Sequence, residues 1–193
     1  MNAKFDLVIV GVGGQGTLLA SKILGRLALK EGCGVKVSEV HGMSQRGGSV
    51  ITHVRVGDEV FSPIVAAGEA DYLLSFEQLE AARAASFLRE GGVAIVNTQV
   101  IWPMPVITGA MQYPEKPLAV LEGRTVECAD ALGIAVECGS QKALNLVLLG
   151  MLSRHLPFAA EAWEEAIAAC VPAKTLAVNL AAFMRGRELH AYV

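Results

Sequence analysis

Three glycines, Gly11, Gly13 and Gly16, have the spacing of a dinucleotide-binding turn and follow directly on an apolar run over residues 5–10. In such a turn the first glycine permits the tight bend, the second lets a pyrophosphate approach the backbone, and the third lets helix and strand pack closely. The helix that follows presents unpaired N–H groups to an anion. Glu39 stands roughly 20 residues further on, where a ribose-binding acid belongs. Thr17 rather than lysine follows Gly16, which excludes the phosphate loop of NTPases. On these residues alone the turn serves a nucleotide or is a plain strand-to-helix junction, because fold does not fix ligand.

Two residues past Glu39 the chain reads His41-Gly42-Met43-Ser44-Gln45-Arg46-Gly47-Gly48-Ser49. Arg46 is a planar cation on a backbone whose glycines permit close approach, suited to an anion or a carboxylate across a joint. His41 titrates near neutrality and could relay a proton, but a hydrogen-bonding loop histidine is the simpler expectation. Ser44 and Ser49 lie in no nucleophile motif. His53 alternates with Arg55 and reads as structural or interfacial, while His155 and His190 lie near helix ends, where imidazole satisfies carbonyls. Cys33, Cys128, Cys138 and Cys170 are dispersed, without the close spacing of zinc or iron–sulfur ligands. They read as buried or indifferent thiols, and no metal site is expected.

The elements that must position these residues follow from pattern. Residues 5–10 and 35–40 read as strands joined by a helix over 15–31, with Leu18, Leu19, Ile23, Leu27 and Ala28 facing inward; together they make a right-handed βαβ unit. Residues 49–56 alternate as a strand, and Gly57-Asp58 predicts a hairpin with a return strand over 59–62. Further strands are expected at 71–76, 93–97 and 126–128, with a helix over 79–88 and a short helical turn at 128–132. Residues 98–117, rich in proline and glycine, form an irregular excursion. Residues 142–156 are apolar nearly all round, which marks a helix buried on several sides; 161–170 and 175–187 are amphipathic helices. The expected fold is α/β, a Rossmann-like, mostly parallel sheet flanked by helices, with an inserted β-hairpin and a helical C-terminal third, in one domain over 1–193.

Composition narrows the function classes. The net charge of -3 provides no field for a nucleic-acid backbone. Hydrophobic residues make up 53% and charged residues 18% of the chain, an apolar balance that predicts surface covered by a partner or a second copy. No sustained apolar span suits a membrane, since Asn97, Gln99, Pro103, Pro105 and Gly109 interrupt the uncharged stretch 91–114. The start of the chain reads without an export signal, so a cytoplasmic location is expected.

Several stretches in order, GVGGQGTLLASKIL (11–24), SEVHGMSQRGGSV (38–50), HVRVGDEVFSPIV (53–65), ADYLLSFEQLEA (70–81), GGVAIVNTQ (91–99), KALNLVLLGML (142–152) and NLAAFMRG (179–186), carry a resemblance over nearly the whole chain. The chain resembles the gamma subunits or domains (the pyruvate/ketoisovalerate oxidoreductase gamma type) of the 2-oxoacid:ferredoxin oxidoreductases. Within them it is most similar to the beta subunit of the indolepyruvate type. The resemblance implies a subunit inactive alone, in a complex that decarboxylates a 2-oxoacid, reduces ferredoxin and delivers the acyl group to coenzyme A. It places thiamine diphosphate, magnesium and iron–sulfur clusters on a large partner subunit and none on this chain. Asn145 and Asn179 match the family pattern and are expected to tie helices to loops.

The resemblance makes Gly13, Gly14, Gln15, His41, Gly42, Met43, Ser44, Gln45, Arg46, Gly47 and Gly48 the expected coenzyme A or partner-facing surface, with no catalytic nucleophile or base among them. The isolated chain is expected to form a homo-oligomer at most. Two rivals remain at this point: a stand-alone NAD-dependent oxidoreductase using Gly11, Gly13, Gly16 and Glu39, and a purely scaffolding subunit.

Overall fold

The apolar run after Lys4 becomes β1 (Phe5–Val12), with Leu7 and Ile9 packing on one face and Val8 and Val10 on the other. A strand buried on both faces belongs in the middle of a sheet. The computed structural model describes residues 3–41 and 48–189. Within them β1 leads into α1 (Thr17–Lys30), β2 (Gly34–His41), β3 (Ser49–Gly57), β4 (Ala70–Ser75), α2 (Gln78–Ala84) and β5 (Leu88–Asn97). There follow α3 (Met104–Ile107), β6 (Thr125–Ala129), α4 (Ala131–Glu137), α5 (Leu144–Ser153), α6 (Ala160–Ala168) and α7 (Leu176–Glu188). The fold is α/β, a six-stranded sheet in the order β2-β3-β1-β4-β5-β6.

Strands β1, β4, β5 and β6 run parallel, while β3 is antiparallel to both β1 and β2. This corrects the simple βαβ expectation, because β2 is not the neighbour of β1. The linker from β2 to β3 is too short for a parallel crossover, which takes a dozen or more residues, so β3 must return antiparallel. It takes the inner position because Val54, Val56, Thr52 and His53 are buried, whereas Lys36, Val37 and Val40 of β2 remain exposed at the edge. The inserted antiparallel element is therefore β2–β3. The expected return strand at 59–62 is absent, since both edges of β3 are already paired and leave it no partner.

One sheet face is covered by α1, α5, α6 and α7, around Ile23, Leu27, Leu146, Leu149, Trp163 and Phe183. The other packs on α2, with Ala81, Leu73, Val96 and Leu121. All ten residues of α5 are buried, as its all-round apolar pattern requires. Leu18 departs from expectation: it is 64% exposed, and Ala20 and Leu24 face inward in its place. Helices α5 and α7 cross at two glycines, where a Cβ on Gly150 would run into the Phe183 carbonyl and one on Gly186 into the Val147 carbonyl.

Several polar groups within this core are paired, while Trp163 Nε1 is buried without a hydrogen-bond partner among the described residues. Arg55 of β3 grips Asp6 of β1 through two bonds of 2.8 Å between opposed residues. Glu127 is buried on β6 and meets Arg154 and His155. His155 therefore pairs with a carboxylate rather than with helix-end carbonyls; its own carbonyl accepts from the Tyr72 hydroxyl at 2.9 Å. Asn179 bonds the Thr175 carbonyl at 2.8 Å at the start of its own helix, and so does not tie that helix to a distant loop. His53 is buried, accepts weakly from the Val65 N–H at 3.3 Å, and meets Phe87 edge-on. All four cysteines are free thiols; Cys33 is buried and the others are half-buried.

Three expectations follow. Gly186→Ala overpacks the helix crossing and should lower stability by about 1–3 kcal/mol or more, measured as the urea midpoint. Gly25→Ala on α1, where an added Cβ meets nothing within 4 Å, should be neutral or stabilise by up to ~1 kcal/mol. Burial lowers the pKa of His53 below its ordinary 6.5. Between the lowered value and 6.5 the unfolded chain binds the proton more readily, so stability rises with pH across that window. His53 thus contributes fully above 6.5 and progressively less below it. The fall in urea midpoint from about pH 7.5 to about pH 5.5 should be smaller in His53→Asn than in the natural chain.

Candidate functional site

The carboxyl end of β1 enters its turn through backbone that only glycine adopts readily. Gly14 and Gly16 have φ of 101° and 93°, in the left-handed region. A Cβ on Gly11 would lie 3.0 Å from both Phe76 Cβ and Gln15 Oε1. Gly16 caps α1, which carries no side-chain cap and no acidic residue in its first turn. That helix end consequently keeps its positive dipole uncompensated by its own residues. The Gly13 N–H donates to the Gly48 carbonyl at 2.9 Å. The end of the glycine-rich loop is thereby seated against the turn.

A cavity of about 370 Å³ opens beside the turn, lined by Gly13, Gly14, Gly16, Thr17, Leu18, Glu39 and Val50. Glu39 reaches it from β2 and accepts from the Thr52 hydroxyl at 3.2 Å. In a dinucleotide-binding sheet the acid-bearing strand lies next to β1. Here β3 intervenes, so β2 stands two strand spacings, roughly 10 Å, from β1 rather than one. The acid thus reaches the cavity beside the glycine turn from one strand further out than in a dinucleotide-binding sheet.

Gln15 lines a second cavity, of about 450 Å³, together with Gln99, Lys142 and Asn145. Its Oε1 accepts from the Val12 N–H at 2.7 Å, and its Nε2 donates to the Phe76 carbonyl at 3.0 Å and to Gln99 Oε1 at 3.1 Å. These partners follow β4 and β5, so the side chain lies across the carboxyl ends of the parallel strands, where open α/β sheets receive ligands. Asn97 Nδ2 donates to the same Phe76 carbonyl at 3.0 Å, and its Oδ1 accepts from the Ala131 N–H at 3.1 Å. From α5, Asn145 donates to the Gly16 carbonyl at 3.4 Å, which realises the expected tie of that helix to a loop; its buried Oδ1 has no partner.

Glu77, which the sequence reading missed, organises the neighbouring excursion. It is buried, and its Oε1 accepts from the Tyr113 hydroxyl at 2.7 Å and the Ile101 N–H at 3.1 Å. Its Oε2 caps α2 through the Glu80 N–H at 3.0 Å. Burial and the facing carboxylate push the Tyr113 pKa up, keeping it a donor. Buried Glu80 receives the Ser49 hydroxyl and pairs with Arg83, so the first residue of β3 is tied to α2. An acid just ahead of the helical run 78–84 was the available signal for Glu77.

Of the expected surface, Gly13, Gly14, Gln15 and Gly48 come together at the turn. The His41 backbone ends β2 opposite Val50. Gly42, Met43, Ser44, Gln45, Arg46 and Gly47 lie outside the described residues. Among the described residues no three His, Cys, Asp or Glu side chains are grouped to hold a metal ion.

Comparison with known proteins agrees with this architecture. The family model described as pyruvate ferredoxin/flavodoxin oxidoreductase matches residues 6–189. The chain is similar to the indolepyruvate oxidoreductase subunit IorB of Thermococcus kodakarensis, at 42% identity, covering 95% of this chain and 94% of that protein. It is likewise similar to the IorB subunit of Pyrococcus horikoshii, at 43% identity, with coverage of 95% and 94%. It shares its fold with the pyruvate oxidoreductase subunit PORC of Thermotoga maritima, with a TM-score of 0.73, 23% identity, and coverage of 99% and 98%. With the resemblance in its glycine turn, central strands and helix α5 now matched across nearly its whole length, the chain belongs to the pyruvate ferredoxin/flavodoxin oxidoreductase family.

Proposed function

We propose that the chain is the gamma-type subunit of an indolepyruvate-type 2-oxoacid:ferredoxin oxidoreductase. The overall reaction converts a 2-oxoacid, coenzyme A and two oxidised ferredoxins into acyl-coenzyme A, carbon dioxide, two reduced ferredoxins and a proton. Thiamine diphosphate with magnesium, and the iron–sulfur clusters, supply decarboxylation and electron transfer from a large partner subunit. This chain shapes the coenzyme A side of the site and works in the cytoplasm; among its described residues no helix is long and apolar enough to cross a membrane.

The observation that carries the reading is the bond from the Gly13 N–H to the Gly48 carbonyl. It anchors one end of the loop that bears Arg46 beside the uncapped start of α1. The dipole at the start of α1 favours an anion, the role a coenzyme A phosphate fills, and Arg46, two positions before Gly48 in the sequence, is assigned to the same anion. Gly13 and Gly14 allow that anion near the backbone, and the cavity they line gives it space. Gln15 keeps its hydrogen bonds inside the protein and holds the turn in shape. Gln15 is held by Val12, Phe76 and Gln99, and β3 separates β2 from β1, a strand order that departs from that of a dinucleotide-binding sheet and speaks against the NAD-dependent rival.

Co-expression with the thiamine-bearing subunit should give anaerobic, coenzyme A-dependent dye reduction, greatest with aryl pyruvates; equal activity from the large subunit alone would overturn the proposal. Arg46→Ala should leave the complex assembled and raise KM for coenzyme A about tenfold or more, the weight of one charge-assisted bond. Unchanged kinetics in the assembled complex would reduce the chain to a scaffold. NAD should not move the melting temperature of the isolated chain; a shift abolished by Glu39→Ala would favour the dehydrogenase reading.

A further inference from the structure

The excursion after β5 leaves its large apolar side chains in water. Val100 is 46% exposed, Trp102 60%, Met104 65%, Ile107 59% and Met111 64%. They fall within twelve residues built on the single turn of α3, which is closed by bonds from Val106 and Ile107 to the Pro103 carbonyl and from Met111 to the Pro105 carbonyl. The five together offer on the order of 600 Å², the top of what a lone soluble protein exposes in one patch. That is about the least that one partner contributes to a standard interface.

Such a face is ready to dock without reorganising. Pro103 and Pro105 restrict the backbone, and the Glu77 carboxylate fixes both ends of the segment at Ile101 and Tyr113. A segment already ordered loses little entropy on binding. Trp102, large and more than half bare, has the character of an interface anchor.

We infer that residues 100–111 seat the larger, thiamine-bearing subunit, and that the candidate site lies at the rim of this contact. The inference rests on the functional reading above. No charged residue occurs from 91 to 114, so the covering surface must itself be apolar and uncharged, because an unpaired charge buried there would be costly. The opposite end of the molecule carries Lys4, Asp6, Arg55, Asp58 and Glu59 around a further, polar cavity, beside the exposed Phe61. The patch is continuous with the glycine turn through the Gln99–Gln15 bond of 3.1 Å. A partner seated on it is thus brought to the edge of the anion-binding turn. A second copy related by a two-fold axis would instead set two such turns against each other and leave neither facing a thiamine centre.

The test measures association of the purified chain with its thiamine-bearing subunit by analytical ultracentrifugation, using Trp102→Asp, Met104→Asp and Phe61→Asp. Phe61 is 84% exposed, lines the polar cavity at the opposite end and serves as the control. Trp102→Asp and Met104→Asp should each weaken association by about tenfold or more, with melting temperatures of the isolated chain unchanged, while Phe61→Asp associates like the natural chain. The milder Trp102→Ala should weaken it in the same direction. Natural-strength association of both excursion variants, or loss with Phe61→Asp alone, would overturn the inference and leave the functional reading standing. A homodimer of the isolated chain that Trp102→Asp splits, with heteromeric association intact, would assign the face to a second copy and overturn it too. If the natural chain fails to bind the thiamine-bearing subunit at all, the functional reading falls and takes the inference with it.

Discussion

The structure depends on the antiparallel pairing of β3 with β1, unbroken over eight residue pairs from Phe5↔Val56 to Val12↔Ser49. Once β3 occupies that edge, β2 is forced outward and the carboxyl ends of β1 and β2 are no longer adjacent. The same pairing brings Ser49 level with Val12, so the loop between β2 and β3 must end at the glycine turn. The Gly13–Gly48 bond is a local result of that long-range register, and the Arg55–Asp6 pair locks it from the far end of the strands.

Gln15 supplies the second constraint. A neutral hydrogen bond contributes about 1 kcal/mol net, so its three bonds matter together more through geometry than through any one energy. They connect the turn after β1 to the segments after β4 and β5. Through Gln99 the excursion becomes part of the same rigid top surface, and Glu77 secures its remaining length. The excursion thus adds an exposed apolar stretch at the carboxyl end of the sheet, beside the glycine turn.

Much of this was legible in the sequence. The apolar runs of β1, β4 and β5 announced buried parallel strands, the glycine triplet announced the strand-to-helix turn, and the apolar girth of α5 announced burial on all sides. The alternation of residues 49–57 revealed a strand but not its partner, because period-two patterning records which faces are buried and says nothing about which edge is paired. The Gly57-Asp58 signal then suggested a return strand for which the sheet had no free edge. Gln15 was identified as a surface residue of the turn; its partners Phe76 and Gln99 lie 61 and 84 residues away, beyond any local pattern. Leu18 was placed inside by helical spacing, which defines a stripe but leaves its outer margin uncertain by one position.

The insertion of β3 also bears on how such a fold can change its trade over evolutionary time. Glu39 reaches the cavity beside the glycine turn from one strand further out than in a dinucleotide-binding sheet. Restoring the usual neighbour of β1 requires withdrawing β3, which would unpair that edge of β1 along its full length and release the Gly48 anchor. No single substitution does that, so the strand order is inherited as a unit. The insertion acts as a ratchet that point mutation alone does not turn back.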